Sequence, residues 1–85
     1  MKYTLYLKKS AEKELLALPK EYAHKVKDAL VALAGNPRPT GCKKLSGKGD
    51  DYRIRVGTYR VVYTISDKVL TVSVIKIAHR KEVYR

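Results

Sequence analysis

Residues 2–8 place Tyr3, Leu5 and Leu7 on one parity and Thr4 and Tyr6 on the other. That period of two marks a strand with one buried face. Ser10 then offers an N-cap hydroxyl, Glu12 and Glu14 follow where a helix dipole favours acids, and Ala11, Leu15 and Leu18 recur at helical spacing. A short helix is expected. Pro19 suits the first position of a second helix, whose apolar stripe is Tyr22, Val26, Ala29, Leu30 and Leu33, with Lys20, His24, Lys27 and Asp28 opposite. His24 reads as solvated. Gly35-Asn36-Pro37 should end this helix, Gly35 taking a left-handed cap and Pro37 blocking continuation. Residues 36–51, with Pro37, Pro39, Gly41, Gly47, Gly49 and Asp50-Asp51, have the composition of a long, basic, mobile loop.

From Tyr52 to Ile77 the pattern is β-rich, broken at Gly57-Thr58 and at Asp67-Lys68. A glycine first in a two-residue loop suits a type II′ hairpin. That turn sets Val56 opposite Tyr59, Arg55 opposite Arg60, Ile54 opposite Val61 and Arg53 opposite Val62. One sheet face is then apolar and the other presents arginines. A two-residue turn at Asp67-Lys68 puts Leu70, Val72 and Val74 on the apolar face, and Thr71, Ser73, Ile75 and Ile77 with the arginines. The fold expected is α+β: a small antiparallel sheet in the order β-α-α-β-β-β, with two N-terminal helices packed on one face and residues 1–85 forming one domain.

Composition narrows the chemistry. The chain has 85 residues, 19 Lys+Arg and 8 Asp+Glu, a formal net charge of +11. Such a balance favours a polyanionic partner, nucleic acid first, because neutralised phosphates release counterions. A chain this short buries only about 60–65% of its unfolded surface, too little for a deep pocket around a large organic cofactor. The lone Cys42 cannot form an internal disulfide and shares no ligand spacing with His24 or His79, so a reducing, cytoplasmic location without a structural zinc is expected. The opening residues lack the continuous apolar run of a signal peptide or membrane span. Gly47-Lys48-Gly49 lacks the spacing of a phosphate-cradling P-loop. Any catalysis is expected to need neither metal nor cofactor.

Arg55 and Arg60 are the most informative pair. Like charges at facing positions destabilise a sheet by roughly 0.2–1 kcal/mol. An anion between them compensates, and two guanidinium forks suit a phosphate; the alternative is that both side chains splay into water. If the last strand stays regular, His79 shares the parity of Ile75 and Ile77 and joins the arginine face, where imidazole is a ready proton donor or acceptor. Otherwise it makes an ordinary strand-end hydrogen bond. Tyr84 either anchors the C-terminal residues, stacks on a base or donates a phenolic proton. Lys43, Lys44 and Lys48 read as phosphate-tracking charges or as loop solubilisers.

In order and spacing, Lys44-Leu45-Ser46-Gly47, Tyr52-Arg53-Ile54-Arg55-Val56-Gly57, Tyr59-Arg60-Val61-Val62-Tyr63, His79-Arg80 and Val83-Tyr84 resemble the RelE branch of the RelE/ParE toxin superfamily. The resemblance covers essentially the whole chain. It implies a toxin of a type II toxin–antitoxin pair that enters the ribosomal A site and cuts mRNA there without a metal, by attack of a 2′-hydroxyl on the adjacent phosphate. It implies further that Arg53 and Arg55 touch mRNA, that Arg60 holds the scissile phosphate, that the His79-Arg80 pair supplies the general acid, and that Tyr84 stacks on or orients the substrate. Some family members use a glutamate as general base, and no carboxylate stands at a matching place in the 40–48 loop. Partners expected are a cognate antitoxin, the ribosome and mRNA, with no membrane. Two other readings share the strand Tyr59–Tyr63: a ParE-like inhibitor of DNA gyrase, and a non-catalytic nucleic-acid-binding module.

Overall fold

The structure, a computed structural model, describes residues 2–45 and 50–79. Lys48, Arg80 and Tyr84, three of the expected site residues, lie outside the described residues. Strand β1 (Thr4–Leu7) leads into helices α1 (Lys9–Leu16) and α2 (Lys20–Gly35), followed by β2 (Lys43–Lys44), β3 (Asp51–Val56), β4 (Tyr59–Ser66) and β5 (Thr71–His79). They form one five-stranded sheet in the order β1-β5-β4-β3-β2. The α+β fold is the one expected. β2 to β5 pair antiparallel, whereas β1 lies parallel to β5, so the sheet is mixed. The two helices carry the chain across the sheet from β1 at one edge to β2 at the other.

Helix packing follows the apolar stripes. Ala11 of α1 and Val26, Leu30 and Leu33 of α2 pack on Ile54, Val61, Tyr63, Ile65, Val72, Val74 and Ile77 of the sheet. The opposite face of the sheet carries no helix among the described residues. α1 starts at Lys9 with Lys8 as its cap residue, so Ser10 sits inside the first turn and does not cap it. Pro19 is the cap residue of α2, its carbonyl accepting from the N–H groups of Tyr22 and Ala23 at 3.0 and 2.9 Å. Gly35 is the last helical residue rather than a left-handed cap: Asn36 leaves the helix extended at φ −148°. The Asn36 side-chain carbonyl then accepts the Arg38 N–H at 3.1 Å, a local turn that redirects the chain.

The hairpin at Gly57-Thr58 has the expected register, with Arg55 opposite Arg60 and Val56 opposite Tyr59. Gly57 lies at φ +62° and Thr58 does not share the left-handed region, the combination a type II′ turn demands. Two expectations about the chain around it are corrected. The 36–51 segment is not all loop, because β2 pairs Lys43 with Arg53 and Lys44 with Tyr52. The turn after β4 spans Asp67–Leu70 rather than two residues, and Leu70 sits in the turn at φ +46° instead of on the apolar face. Its carbonyl accepts the Thr4 N–H at 2.6 Å, tying the turn to β1.

The correction with most consequence lies in β5. Tyr63 pairs with Val74, but Val62 pairs with Lys76, so Ile75 is an extra residue and β5 carries a bulge. Beyond it the parity inverts. Ile77 pairs with Val61 and enters the core, and His79 pairs with Tyr59 on the helix-covered face. Neither lies with the arginines. Glu14 of α1 braces the strand just past the bulge, its Oε1 accepting the Ile77 N–H at 2.8 Å.

Candidate functional site

With helices on one side of the sheet, the other side displays the residues that the hairpin register and the bulge direct outward. β3 contributes Arg53 and Arg55, β4 contributes Arg60 and Val62, and β5 contributes Lys76 and Ala78. At the sheet edge Lys43 shares this face through its pairing with Arg53, while Lys44, opposite Tyr52, falls on the helix-side parity. The basic cluster therefore includes Lys43 but not Lys44. Arg53 and Arg60 are only 3% and 6% exposed, whereas Arg55 and Lys43 are open to solvent. Arg53 and Arg60 both interact within the chain, as buried guanidinium groups must to offset desolvation. Their stems are held by packing, so their charges are preorganised rather than swept through water.

Among the described residues, two depressions interrupt this face. A small one of about 50 Å³ lies among Arg55, Gly57, Tyr59 and Arg60. A larger one of about 420 Å³ is bounded by Thr40, Gly41, Lys43, Arg53, Ile54 and Arg55. Arg55 borders both.

The wall carrying Thr40 and Gly41 is anchored at its base. Arg38 donates from Nη2 and Nη1 to the two carboxylate oxygens of Asp67 at 3.0 and 3.4 Å, and from Nε to the Tyr52 hydroxyl at 3.2 Å. Its guanidinium also lies 5.4 Å from the centre of the Tyr52 ring. Tyr3 donates its hydroxyl to Asp67 Oδ1, the oxygen that Arg38 Nη1 also meets, at 2.6 Å. Deeper, the buried Tyr63 hydroxyl donates to the Pro37 carbonyl at 2.8 Å. Burial, with the Cys42 thiol beside it, pushes the Tyr63 phenol well above its ordinary value. The clamp residues Arg38 and Asp67 escape sequence reading because they are 29 positions apart; nothing local couples a loop arginine to a turn aspartate.

Hydrogen bonds from Arg38 and then Tyr3 hold the Asp67 carboxyl below the usual range, and the bond to Asp67 raises the Tyr3 phenol. Asp67 thus contributes fully above its unfolded value near ~3.9 and loses the contribution as pH falls through its lower folded value. Tyr3 contributes below about 10 and loses it as pH rises through its raised value. Amide resonances of residues 36–42 should therefore stay constant across the neutral range and move only in strong acid or base. Asp67→Asn should produce the acid-released spectrum at neutral pH; a wild-type spectrum from that variant would remove the clamp.

His79 stands on the far side of the sheet from the arginines. Its ring meets Tyr59 edge-on at 5.8 Å, and Tyr59 packs against Tyr22 at 5.2 Å. A shallow depression of about 210 Å³ beside it is lined by Glu14, Leu18, Tyr59, Ile77 and His79, among others. The expectation that His79 joins Arg55 and Arg60 fails because it assumed a regular strand. Lys76, which that reading would have turned into the core, is the outward cation it missed. The signal was present: a lysine at an inward position, beside adjacent apolar residues Val74 and Ile75, argues for one inserted residue.

Two helices on a five-stranded mixed sheet are also the fold of known toxins. Residues 5–84 match the family described as ParE toxin of type II toxin-antitoxin system, parDE. A curated relative, putative toxin RelE1 of Methanocaldococcus jannaschii, is 31% identical over 90 aligned positions that cover 100% of this chain and 98% of the relative. Among solved structures, the archaeal RelE–RelB complex of Pyrococcus horikoshii contains a chain of 31% identity with a TM-score of 0.85, over 96% of this chain and 99% of that one. A double mutant of the E. coli toxin RelE in the free state is 33% identical, with a TM-score of 0.83 over 99% and 92%. The chain belongs to the RelE/ParE toxin family of type II toxin–antitoxin systems, and it is RelE-like. No helix among the described residues is long and apolar enough to cross a membrane.

Proposed function

We propose that this protein is a ribosome-dependent, metal-independent endoribonuclease that cuts mRNA in the A site and so arrests translation in the cytoplasm. The observation that carries the reading is the direct cross-strand pairing of Arg55 with Arg60 on the open sheet face. A sheet tolerates that repulsion when an anion bridges the pair. In the reaction, the 2′-oxygen of the nucleotide before the break bonds to phosphorus. The bond to the 5′-oxygen of the next nucleotide breaks, leaving a 2′,3′-cyclic phosphate and, after proton transfer, a 5′-hydroxyl. Charge builds on the phosphoryl oxygens between those two events. Arg60, rigid and shielded, and Arg55, open to solvent, stabilise that charge more strongly than the ground state. Arg53 and Lys43 hold the flanking backbone. With His79 turned to the helix side, the general-acid role that the family resemblance gives to the His79-Arg80 pair falls to Arg80, and Tyr84 stacks on or orients the substrate.

Support for an antitoxin partner comes from the P. horikoshii relative, which was solved with RelB. An acidic or amphipathic segment that neutralises the arginine face would silence this toxin. A second reading, inhibition of DNA gyrase, is favoured by the ParE description of the matching family.

Purified protein assayed on free mRNA and on ribosomes programmed with an empty A site separates the two readings. Rapid cleavage on the ribosome alone is the expected result. No cleavage, together with inhibition of gyrase supercoiling, would replace the nuclease reading with the second one.

A further inference from the structure

Arg55 lies where the sheet is narrowest. β2 pairs only with Tyr52 and Arg53, so Ile54, Arg55 and Val56 at the end of β3 have β4 as their sole strand neighbour among the described residues. A two-stranded ribbon twists more than the body of a sheet. A guanidinium carried on such a ribbon moves with it, and a misplacement of about 1 Å is enough to cost a catalytic site on the order of 10²-fold in rate. Keeping Arg55 and Arg60 in one geometry therefore requires a support for the ribbon from the helix side. An aromatic file stands there. A Cβ on Gly57 would lie 3.4 Å from Tyr22 Cε1 and 3.8 Å from its Cδ1, so the Tyr22 ring reaches the backbone of the turn. The same ring packs on Tyr59, with centroids 5.2 Å apart and planes tilted by 60°, and Tyr59 meets the His79 ring at 5.8 Å and 80°. Tyr59 directly precedes Arg60 and borders the small depression beside Arg55 and Arg60.

We infer that Tyr22 is a positioning residue for the arginine pair: its ring, through Gly57 and Tyr59, sets the angle at which the hairpin presents Arg55 and Arg60. The inference rests on the proposed nuclease reading for its effect on rate, and on packing alone for its effect on the hairpin. Tyr22 is itself well anchored. It stands in the first turn of α2, its N–H donates to the Pro19 carbonyl at 3.0 Å, and Val26, one helical turn further on, has no exposed surface. The tyrosine lies across the sheet from the arginines, so truncating it leaves every cation of the open face in place. Attraction of a polyanion then persists. The loss falls instead on the transition state, whose developing charge is stabilised only by donors held in the right place.

The test measures kcat and KM for mRNA cleavage on programmed ribosomes with Tyr22→Ala, Tyr22→Leu and Tyr22→Phe, at a temperature where thermal melting shows each variant folded. Tyr22→Ala should lose about 10–100-fold in kcat, with KM unchanged to within about twofold. Tyr22→Leu keeps apolar bulk without the planar ring and should lose nearly as much, whereas Tyr22→Phe should cleave at the wild-type rate. A second readout needs no cleavage. Nitrogen relaxation of the Arg55 and Gly57 amides and of the Arg60 side-chain Nε–H should show lost order in the Ala and Leu variants and wild-type order in the Phe variant. A folded Tyr22→Ala with wild-type kcat, a loss confined to KM, or a Phe variant as slow as the Ala variant would overturn the brace. So would unchanged relaxation in Tyr22→Ala, whether or not the wild type cleaves. Lost order in that variant, in a protein whose wild type leaves ribosome-bound mRNA intact, would retain the brace and strike the nuclease reading alone.

Discussion

Arg60→Ala is expected to lower the rate of mRNA cleavage on programmed ribosomes by about 10²–10³-fold, the loss typical when one preorganised donor to a developing oxyanion is removed. Arg60 is 6% exposed and faces Arg55 across the hairpin, and the proposed reaction puts the developing phosphoryl charge at its guanidinium. Most of the loss should appear in kcat, because a fixed donor acts more strongly on the transition state than on the bound substrate. Arg60→Lys should recover only part of it: the charge remains but the planar fork does not. Arg55→Ala removes an exposed partner without opening the packing around Arg60, and a substantial but smaller loss is expected. Thermal melting of each variant distinguishes a lost phosphate contact from a lost fold. Wild-type cleavage rates in both alanine variants would refute the assignment of this face to the scissile phosphate.

Tyr63→Ala should cause the largest loss of stability of any single substitution considered for this chain. Tyr63 has no exposed surface, is the largest fully buried side chain among the described residues, and stacks on Tyr52 at 6.0 Å. Truncating a buried aromatic costs about 3–5 kcal/mol through lost burial and the cavity left behind. Here the Pro37 carbonyl also loses its donor at 2.8 Å, which for a buried acceptor adds ~1–3 kcal/mol. Small domains have only about 5–15 kcal/mol in total. The melting temperature should therefore fall by tens of degrees, given roughly 4–8 °C per kcal/mol at this size. Tyr63→Phe keeps the packing and removes only the donor, so a drop of several degrees is expected, accompanied by weaker order in residues 36–42. A Phe variant as unstable as the Ala variant would show that the hydrogen bond, rather than the ring, dominates.

Both predictions concern residues whose faces were readable before the fold was known. The Gly57-Thr58 turn has only two residues, so the register of its arms follows from turn chemistry and alternation alone, and Arg55 opposite Arg60 comes with it. The helices were equally legible from their stripes, because Val26, Leu30 and Leu33 recur at a spacing only a helix can align. Helix ends were read less well. Ser10 and Gly35 are residue types that favour caps, but the chain leaves β1 and α2 at angles set by the sheet beneath, and neither was used.

Local pattern thus determined the α+β plan, the apolar faces of the helices and first hairpin, and the existence of a paired-arginine face, because each depends on neighbours within one turn or one tight loop. Tertiary structure decided the rest. The parallel pairing of β1 with β5 joins residues 67 positions apart, as in Thr4 with Thr71. The bulge at Ile75 arises where β5 must present Val74 and Ile77 to the same core, and it carries His79 to one side of the sheet and Lys76 to the other. The clamp of Arg38, Asp67, Tyr3 and Tyr52 gathers side chains from four separate segments to fix the wall of the larger depression. Such features are set by the free energy of closing a shared core. Alternation along one strand carries no record of a contact made by the far end of the chain.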